Sequence, residues 1–288
     1  MSSQSNSFIL TIKCTDTKGI VAAVSTYLRD LDCFIEESSH YGDQSTNTFF
    51  MRTVFCSDAT DFSKGSFEPG FEAIADQFSM EWDLHDTKVL PRVVLMVSRF
   101  DHCLNDLLFR YRTGALKMQV PAIVSNHMDM ASLAEWHKIP FFHIPVTKDT
   151  KPQAESRLME IVDDTKADVV VLARYMQVLS DDLCRSLQGR AINIHHSFLP
   201  SFKGAKPYHR AHERGVKLIG ATAHYVTGDL DEGPIIEQTV ERVDHTHTAD
   251  EMVAIGRDVE SLTLSRALKY HLEHRVFLNG NKTVVFRR

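Results

Sequence analysis

Two hydrophobic rhythms divide the chain. From Phe8 to Cys14 apolar and polar side chains alternate, which predicts a half-buried strand, and Gly19 to Leu31 then places Ile20, Val21, Val24 and Leu28 on one helical stripe. Strand patterns follow at Cys33–Ser38 and Thr48–Cys56, separated by the turn-like run YGDQSTN. A helix over Phe71–Phe78 and a strand over Met80–Leu84 complete a β-α-β-β-α-β order. That order predicts two helices on one face of an antiparallel sheet, a ferredoxin-like α+β unit.

After the polar stretch HDTK at 85–88 the rhythm changes to short apolar strands alternating with amphipathic helices, so the division is expected as domains 1–88 and 89–288. Strands are predicted at Val93–Val97, Ala122–Ser125, Phe141–Ile144, Val169–Leu172, Ala191–His195 and Ile219–Tyr225. Helices are predicted over His102–Tyr111 and centred on Leu133, Ile161 and Leu187. Continuous apolar strands of this kind suit a mostly parallel, Rossmann-like α/β sheet covered on both faces. Thr248 and Glu251 have the spacing of a capping box, and Met252, Ile255, Val259 and Leu262 continue a helix toward His271. Asn279-Gly280 between apolar runs signals a hairpin. The chain has no internal repeat, GxGxxG or P-loop, so no nucleotide cofactor is expected.

Composition narrows the function classes. A length of 288 residues with 43% hydrophobic and 24% charged side chains fits two folded domains and excludes a disordered chain. The net charge of −6 gives no footprint for nucleic acid, and no segment has the ~18 apolar residues of a membrane span, so the expected partner is a small molecule. Cys14, Cys33, Cys56, Cys103 and Cys184 are scattered and odd in number, as expected of reduced cysteines. With the polar start MSSQSNS, they point to a cytoplasmic protein.

The candidate chemistry lies in INIHHSFLPSFKGAKPYHRAHERG, Ile192 to Gly215, and GATAHYVTGDLDEGPII, Gly220 to Ile236. Asn193 and His195 are two apart on a strand, so the pleat sends both to one face at the carboxyl end of the sheet, where open α/β sheets bind ligands. Asp231 lies in the loop after the next strand, where it could return to pair with His195. An amide, an imidazole and a carboxylate suit addition of a nucleophile to a carbonyl group. Asp229, two residues earlier, competes for the acid role, and spacing does not choose between them. His195, His196, His209, His212 and His224 also permit a metal reading. No ligand spacing supports it, and His209 and His212 are better read as exposed residues on a short helix after Pro207.

INIHHSFLPSFKGA together with AHYVTGDLDEGPIIEQ closely resembles the folate-dependent formyltransferase family, and CTDTKGIVAAV at Cys14–Val24 resembles the first strand-helix junction of an ACT regulatory domain. The combined pattern covers nearly the whole chain and resembles the formyltetrahydrofolate deformylases. This resemblance implies an ACT domain followed by a formyltransferase-fold domain, with catalytic roles for Asn193, His195 and Asp231, the last because it immediately precedes xGP. It implies folate binding by Met176, Gln177, Val178 and Leu179, and by Val226, Thr227, Gly228, Asp229 and Leu230. The implied reaction is metal-independent hydrolysis of 10-formyltetrahydrofolate to formate and tetrahydrofolate in one-carbon and purine metabolism, with the folate as substrate and no cofactor. Transfer to an amine acceptor is the alternative. The family's phosphate-binding transferases have a Gly- and Ser-rich first loop, whereas VSRFDHCLNDLL, Val97–Leu108, has no glycine and carries Asp101, which favours water as nucleophile. The ACT resemblance implies a small amino-acid effector near Asp16, Gly19 and Ile20, and a homo-oligomer.

Overall fold

The structure, a computed structural model, describes residues 6–59, 62–199 and 207–287. The chain forms two compact units, the first holding the described residues through Leu90 with His274–Asn279 and 284–287, and the second holding Pro91–Glu273 with Gly280–Thr283.

In the first unit, β1 (Asn6–Thr15), α1 (Ile20–Asp30), β2 (Cys33–Asp43), β3 (Thr48–Ser57), α2 (Lys64–Phe78) and β4 (Glu81–Asp86) follow the expected order. The strands form an antiparallel sheet ordered β2-β3-β1-β4. Alternation in β1 turns Phe8, Leu10, Ile12 and Cys14 into a core with Ile20, Val24 and Leu28 of α1 and Phe67, Phe71 and Ala75 of α2. Helix α2 starts earlier than periodicity predicts. Ser63 and Ser66 cap it reciprocally, and the helix carries Pro69 through its interior, where a sequence reading stops.

The tail departs from the expected assignment of everything after 88 to one domain. Arg275 donates both Nη groups to Glu37, at 2.9 and 3.1 Å, Asn279 Nδ2 donates to Asp43 Oδ2 at 2.6 Å, and Phe277 packs on Phe50. Phe50 and Arg52 point to the opposite side of β3 from the helix-facing residues, so these tail side chains complete that second face. The expected boundary also falls short of the observed break between Leu90 and Pro91.

The second unit runs β5 (Arg92–Val97), α3 (His102–Arg112), β6 (Gln119–Ser125), α4 (Ala131–Trp136), β7 (Phe141–His143), α5 (Lys151–Asp164), β8 (Val169–Leu172), α6 (Asp181–Ser186), β9 (Ala191–His195), α7 (Pro207–Arg214), β10 (Leu218–Tyr225), β11 (Ile235–Arg242) and α8 (Ala249–Leu272). Its sheet is ordered β11-β10-β9-β8-β5-β6-β7, parallel from β9 to β7 and antiparallel at β10 and β11. The order reverses between β5 and β8, which opens a crevice at their carboxyl ends. Strand β11 is not predicted, because its edge position leaves polar and exposed side chains in a weak apolar pattern. Helix α6 ends at Ser186, and Leu187 is its cap residue instead of its centre. The Thr248–Glu251 capping box forms as the spacing implies. The Asn279-Gly280 signal is realised as a hairpin of β12 (Val276–Asn279) and β13 (Lys282–Val285). Among the described residues no helix is long and apolar enough to cross a membrane.

Candidate active site

The site is built on one face of the β9–β10 ladder. Antiparallel register sets His224 opposite Asn193 and Thr222 opposite His195, so the four side chains share a face. Thr222 holds the chain after His195 in place: its hydroxyl donates to Ser197 O at 3.0 Å and accepts from Leu199 N at 3.1 Å. Gln238 of β11 adds a donor to the same hydroxyl and to Leu199 O. The PSFKGAK part of the motif, 200–206, lies outside the described residues.

Asp231 and Asp229, equivalent by spacing, part company here. Asp231 Oδ1 lies 3.2 Å from His195 Nδ1 and 3.8 Å from His224 Nε2, while Asp229 is exposed. Asp231 has a left-handed backbone, φ +58°, and the turn behind it closes tightly, since Tyr225 N donates to Pro234 O at 2.9 Å. A Cβ at Gly233 would stand 1.7 Å from Tyr225 O, so only glycine permits that approach. Burial alone would raise the Asp231 carboxyl, but the His195 hydrogen bond and the nearby imidazoles outweigh it and hold the group below its ordinary value. His195 Nδ1–H therefore donates to a carboxylate, and the buried His195 Nε2 has no hydrogen-bond partner among the described residues.

His224 acts on Asn193. Its Nδ1 lies 2.9 Å from Tyr225 O, a group that only accepts, so Nδ1 carries the proton. Burial lowers the His224 basicity, which keeps the ring neutral and Nε2 free to accept from Asn193 Nδ2 at 3.4 Å.

These groups open on a cavity of about 340 Å³ that also contains every residue of the two expected folate segments, Met176–Leu179 and Val226–Leu230. Met176, Val178 and Leu230 are 51, 56 and 59% exposed, so they form an uncovered apolar rim and are not core residues; Leu179 and Val226 pack inward. The first segment is held by Ser98, whose Oγ accepts from Met176 N at 2.9 Å and donates to Asn126 Oδ1 at 2.6 Å. Ser98 N also donates to Arg174 O at 3.2 Å. In the same loop Asp101 accepts from Asn105, and Phe100 lies beneath the Arg174 guanidinium.

Several residues here escape sequence reasoning. His196 and His224 are visible only as histidine density, and the five histidines do not gather as a metal cluster. Among the described residues the single grouping with ligand-like spacing is His102, Cys103 and Glu260. Its carboxylate already accepts from Tyr208 at 2.8 Å and pairs with Arg174 at 3.3 Å. Ser98, Asn126, Arg174 and Glu260 carry no local signal.

In the first unit Gly19 adopts φ +100° at the start of α1, and Asp16 is exposed, its carboxylate lying against Gly42. Ile20 is 2% exposed and belongs to the core.

A family model described as formyl transferase matches residues 91–268. The formyltetrahydrofolate deformylase of Corynebacterium sp. (strain P-1) is 52% identical over 279 residues, covering 97% of this chain and 98% of that protein. The chain belongs to the formyltetrahydrofolate deformylase family. The crystal structure of the deformylase from Burkholderia mallei ATCC 23344 superposes with a TM-score of 0.93 at 54% identity, over 98% of this chain and 100% of that one. The deformylase from Pseudomonas syringae pv. tomato str. DC3000 gives 0.95 at 50% identity, over 99% and 96%. Likeness to the deformylases thus runs through both units, whereas the formyl transferase match begins at Pro91, the first residue of the second unit.

Proposed function

We propose that this chain hydrolyses 10-formyltetrahydrofolate to formate and tetrahydrofolate, with Asn193, His195 and Asp231 as its catalytic residues. The observation that carries the reading is the His195–Asp231 pair, 3.2 Å apart, sharing a cavity with Asn193 and with the Met176–Leu179 and Val226–Leu230 segments. The flat pterin lies against the apolar rim, and its amide-like edge meets the main chain of Val226, Thr227, Gly228, Asp229 and Leu230 and of Met176 and Gln177. This seats the formyl group among the three polar side chains.

Water attacks the formyl carbon. Asp231 orients it and keeps the His195 ring directed through Nδ1, while the Asn193 amide hydrogen not given to His224 stabilises the developing oxyanion. His195 Nε2 carries the proton to the folate nitrogen, the carbon–nitrogen bond breaks, and formate and tetrahydrofolate leave. In the first unit, a small amino-acid effector would meet the Asp16 carboxylate and the main chain at Gly19 and Ile20, where a left-handed glycine opens the helix start.

The test is incubation of the purified chain with 10-formyltetrahydrofolate and no acceptor. Equal amounts of formate and tetrahydrofolate are expected, with turnover falling about 100- to 1000-fold in Asn193→Ala. Near-normal turnover in Asn193→Ala or Asp231→Asn would overturn the assignment of roles. Product only when an amine is added would favour formyl transfer instead.

A further inference from the structure

Four polar side chains from four separate elements of the second unit meet beside the cavity and take no part in the chemistry above. Glu260 of α8, 1% exposed, accepts from Tyr208 of α7, is bonded to His102 Nε2 of α3 at 2.7 Å, and pairs with Arg174 after β8. Burial alone would raise its carboxyl, but His102, Arg174 and Tyr208 together hold it below its ordinary value, so Glu260 is charged. Gly256, one turn earlier on α8, makes room for this meeting: a Cβ there would fall 2.1 Å from the Tyr208 ring. Buried ion networks add little net stability over apolar packing, so one beside a cavity calls for a functional explanation.

Arg174 is the member that lines the cavity; Glu260, His102 and Tyr208 do not. Its placement is fixed from three sides. Ser98 N holds its carbonyl, the Phe100 ring lies 5.4 Å from its guanidinium carbon, and its Nε is ion-paired with Glu260 at 3.3 Å without a hydrogen bond. It also tolerates a left-handed φ of +64°, unfavourable for any residue with a Cβ. Arg174 therefore reaches the cavity wall, whereas the balancing carboxylate does not. Next to it, His196 also lines the cavity and stands edge-to-face on His195 with ring centroids 4.9 Å apart. Burial, with the charges of Arg174 and His195, pushes the His196 imidazole down to about 4 against the opposing pull of Glu260 and Asp231, so this neighbour is neutral.

A fixed cation discriminates among nucleophiles. Aliphatic amines are largely ammonium ions near pH 7 and are repelled from it, whereas water is not. We propose that Arg174, anchored by Glu260, is a specificity-determining residue that admits water to the formyl carbon and keeps amine acceptors out. The inference rests on the hydrolytic reading above. In the excluded reaction an amine nitrogen bonds to the formyl carbon, the bond to the folate nitrogen breaks, and the proton lost by the amine ends on that nitrogen.

The test measures partition. Wild type, Arg174→Gln, Arg174→Lys and Glu260→Gln are incubated at pH 7 with 10-formyltetrahydrofolate and excess glycinamide, and formate and N-formylglycinamide are quantified. Wild type and Arg174→Lys are expected to give formate with only a trace of N-formylglycinamide. Arg174→Gln should raise the ratio of formylated amine to formate at least tenfold, and Glu260→Gln should shift it the same way by less. An unchanged ratio in Arg174→Gln or, if that variant is inactive, in Glu260→Gln would overturn the proposal, as would loss of all turnover in every variant. No formate from wild type, with or without glycinamide, would instead overturn the hydrolytic reading.

Discussion

Asn193 and His224 face each other across the antiparallel β9–β10 ladder, with Asn193 Nδ2 3.4 Å from His224 Nε2. The neutral histidine thereby fixes which way the amide turns. In His224→Ala the amide is free to rotate, and kcat is expected to fall about tenfold, the value of one orienting hydrogen bond, with KM little changed. His224→Gln, which retains an acceptor, should recover part of the loss. Steady-state kinetics on both variants check this, and a selective rise in KM would contradict it.

Gly233→Ala tests the turn that delivers Asp231. The added Cβ would meet Tyr225 O at 1.7 Å, so the loop must move and carry Asp231 away from His195. A displacement of about 1 Å at such a group costs on the order of a hundredfold in turnover. The expected result is a folded protein with kcat reduced about that much, shown by kinetics beside a thermal melt; full activity would mean the loop absorbs the methyl group elsewhere.

Ser98→Ala removes one hydroxyl that serves two partners, Met176 N and Asn126 Oδ1, both close to the substrate cavity. Leaving them unsatisfied should cost about 1–3 kcal/mol of stability. On the proposed folate binding by the segment that Met176 begins, KM for 10-formyltetrahydrofolate should rise several-fold while kcat stays within about twofold. Ser98→Thr keeps the hydroxyl and should restore KM. A loss confined to stability, with KM unmoved, would show that Ser98 supports packing alone.

Acid should unfold the second unit through histidines held neutral. Burial pushes both His196 and His271 down to about 4, and Tyr225 OH is hydrogen-bonded to His271 Nδ1 at 2.7 Å. In the unfolded chain these rings take protons near pH 6.5, so their contribution to stability is complete above that pH and is lost as pH falls toward 4. Each proton contributes a slope of about 1.4 kcal/mol per pH unit. Asp231, held low, adds a loss only below about pH 3.9. Chemical denaturation between pH 4 and 7 should show a slope that flattens by one proton in His271→Gln; an unchanged slope would sink this account.

Local periodicity was enough for the elements whose pattern arises within a few residues. The alternation of Phe8, Leu10 and Ile12, the shared face of Asn193 and His195, and the Thr248–Glu251 cap all follow from backbone geometry over one strand or one turn. Edge strand β11 and the start of α2 before Pro69 were illegible because packing partners outweighed their weak intrinsic patterns.

The preference for Asp231 over Asp229 came to the sequence reading from family resemblance, and its physical basis appears only in the folded loop, where a left-handed residue and a glycine pressed on Tyr225 O bring that carboxylate to His195. The return of Arg275, Phe277 and Asn279 to the first sheet, and the meeting of Arg174 with Glu260, are likewise tertiary. Sequence by itself determined most of the elements, the strand on which Asn193 and His195 share a face and the family to which it points. Tertiary structure alone decided which distant charges share a cavity, because a buried charge is tolerated only where groups from other elements arrive to pair with it, and nothing in the neighbouring residues records that arrival.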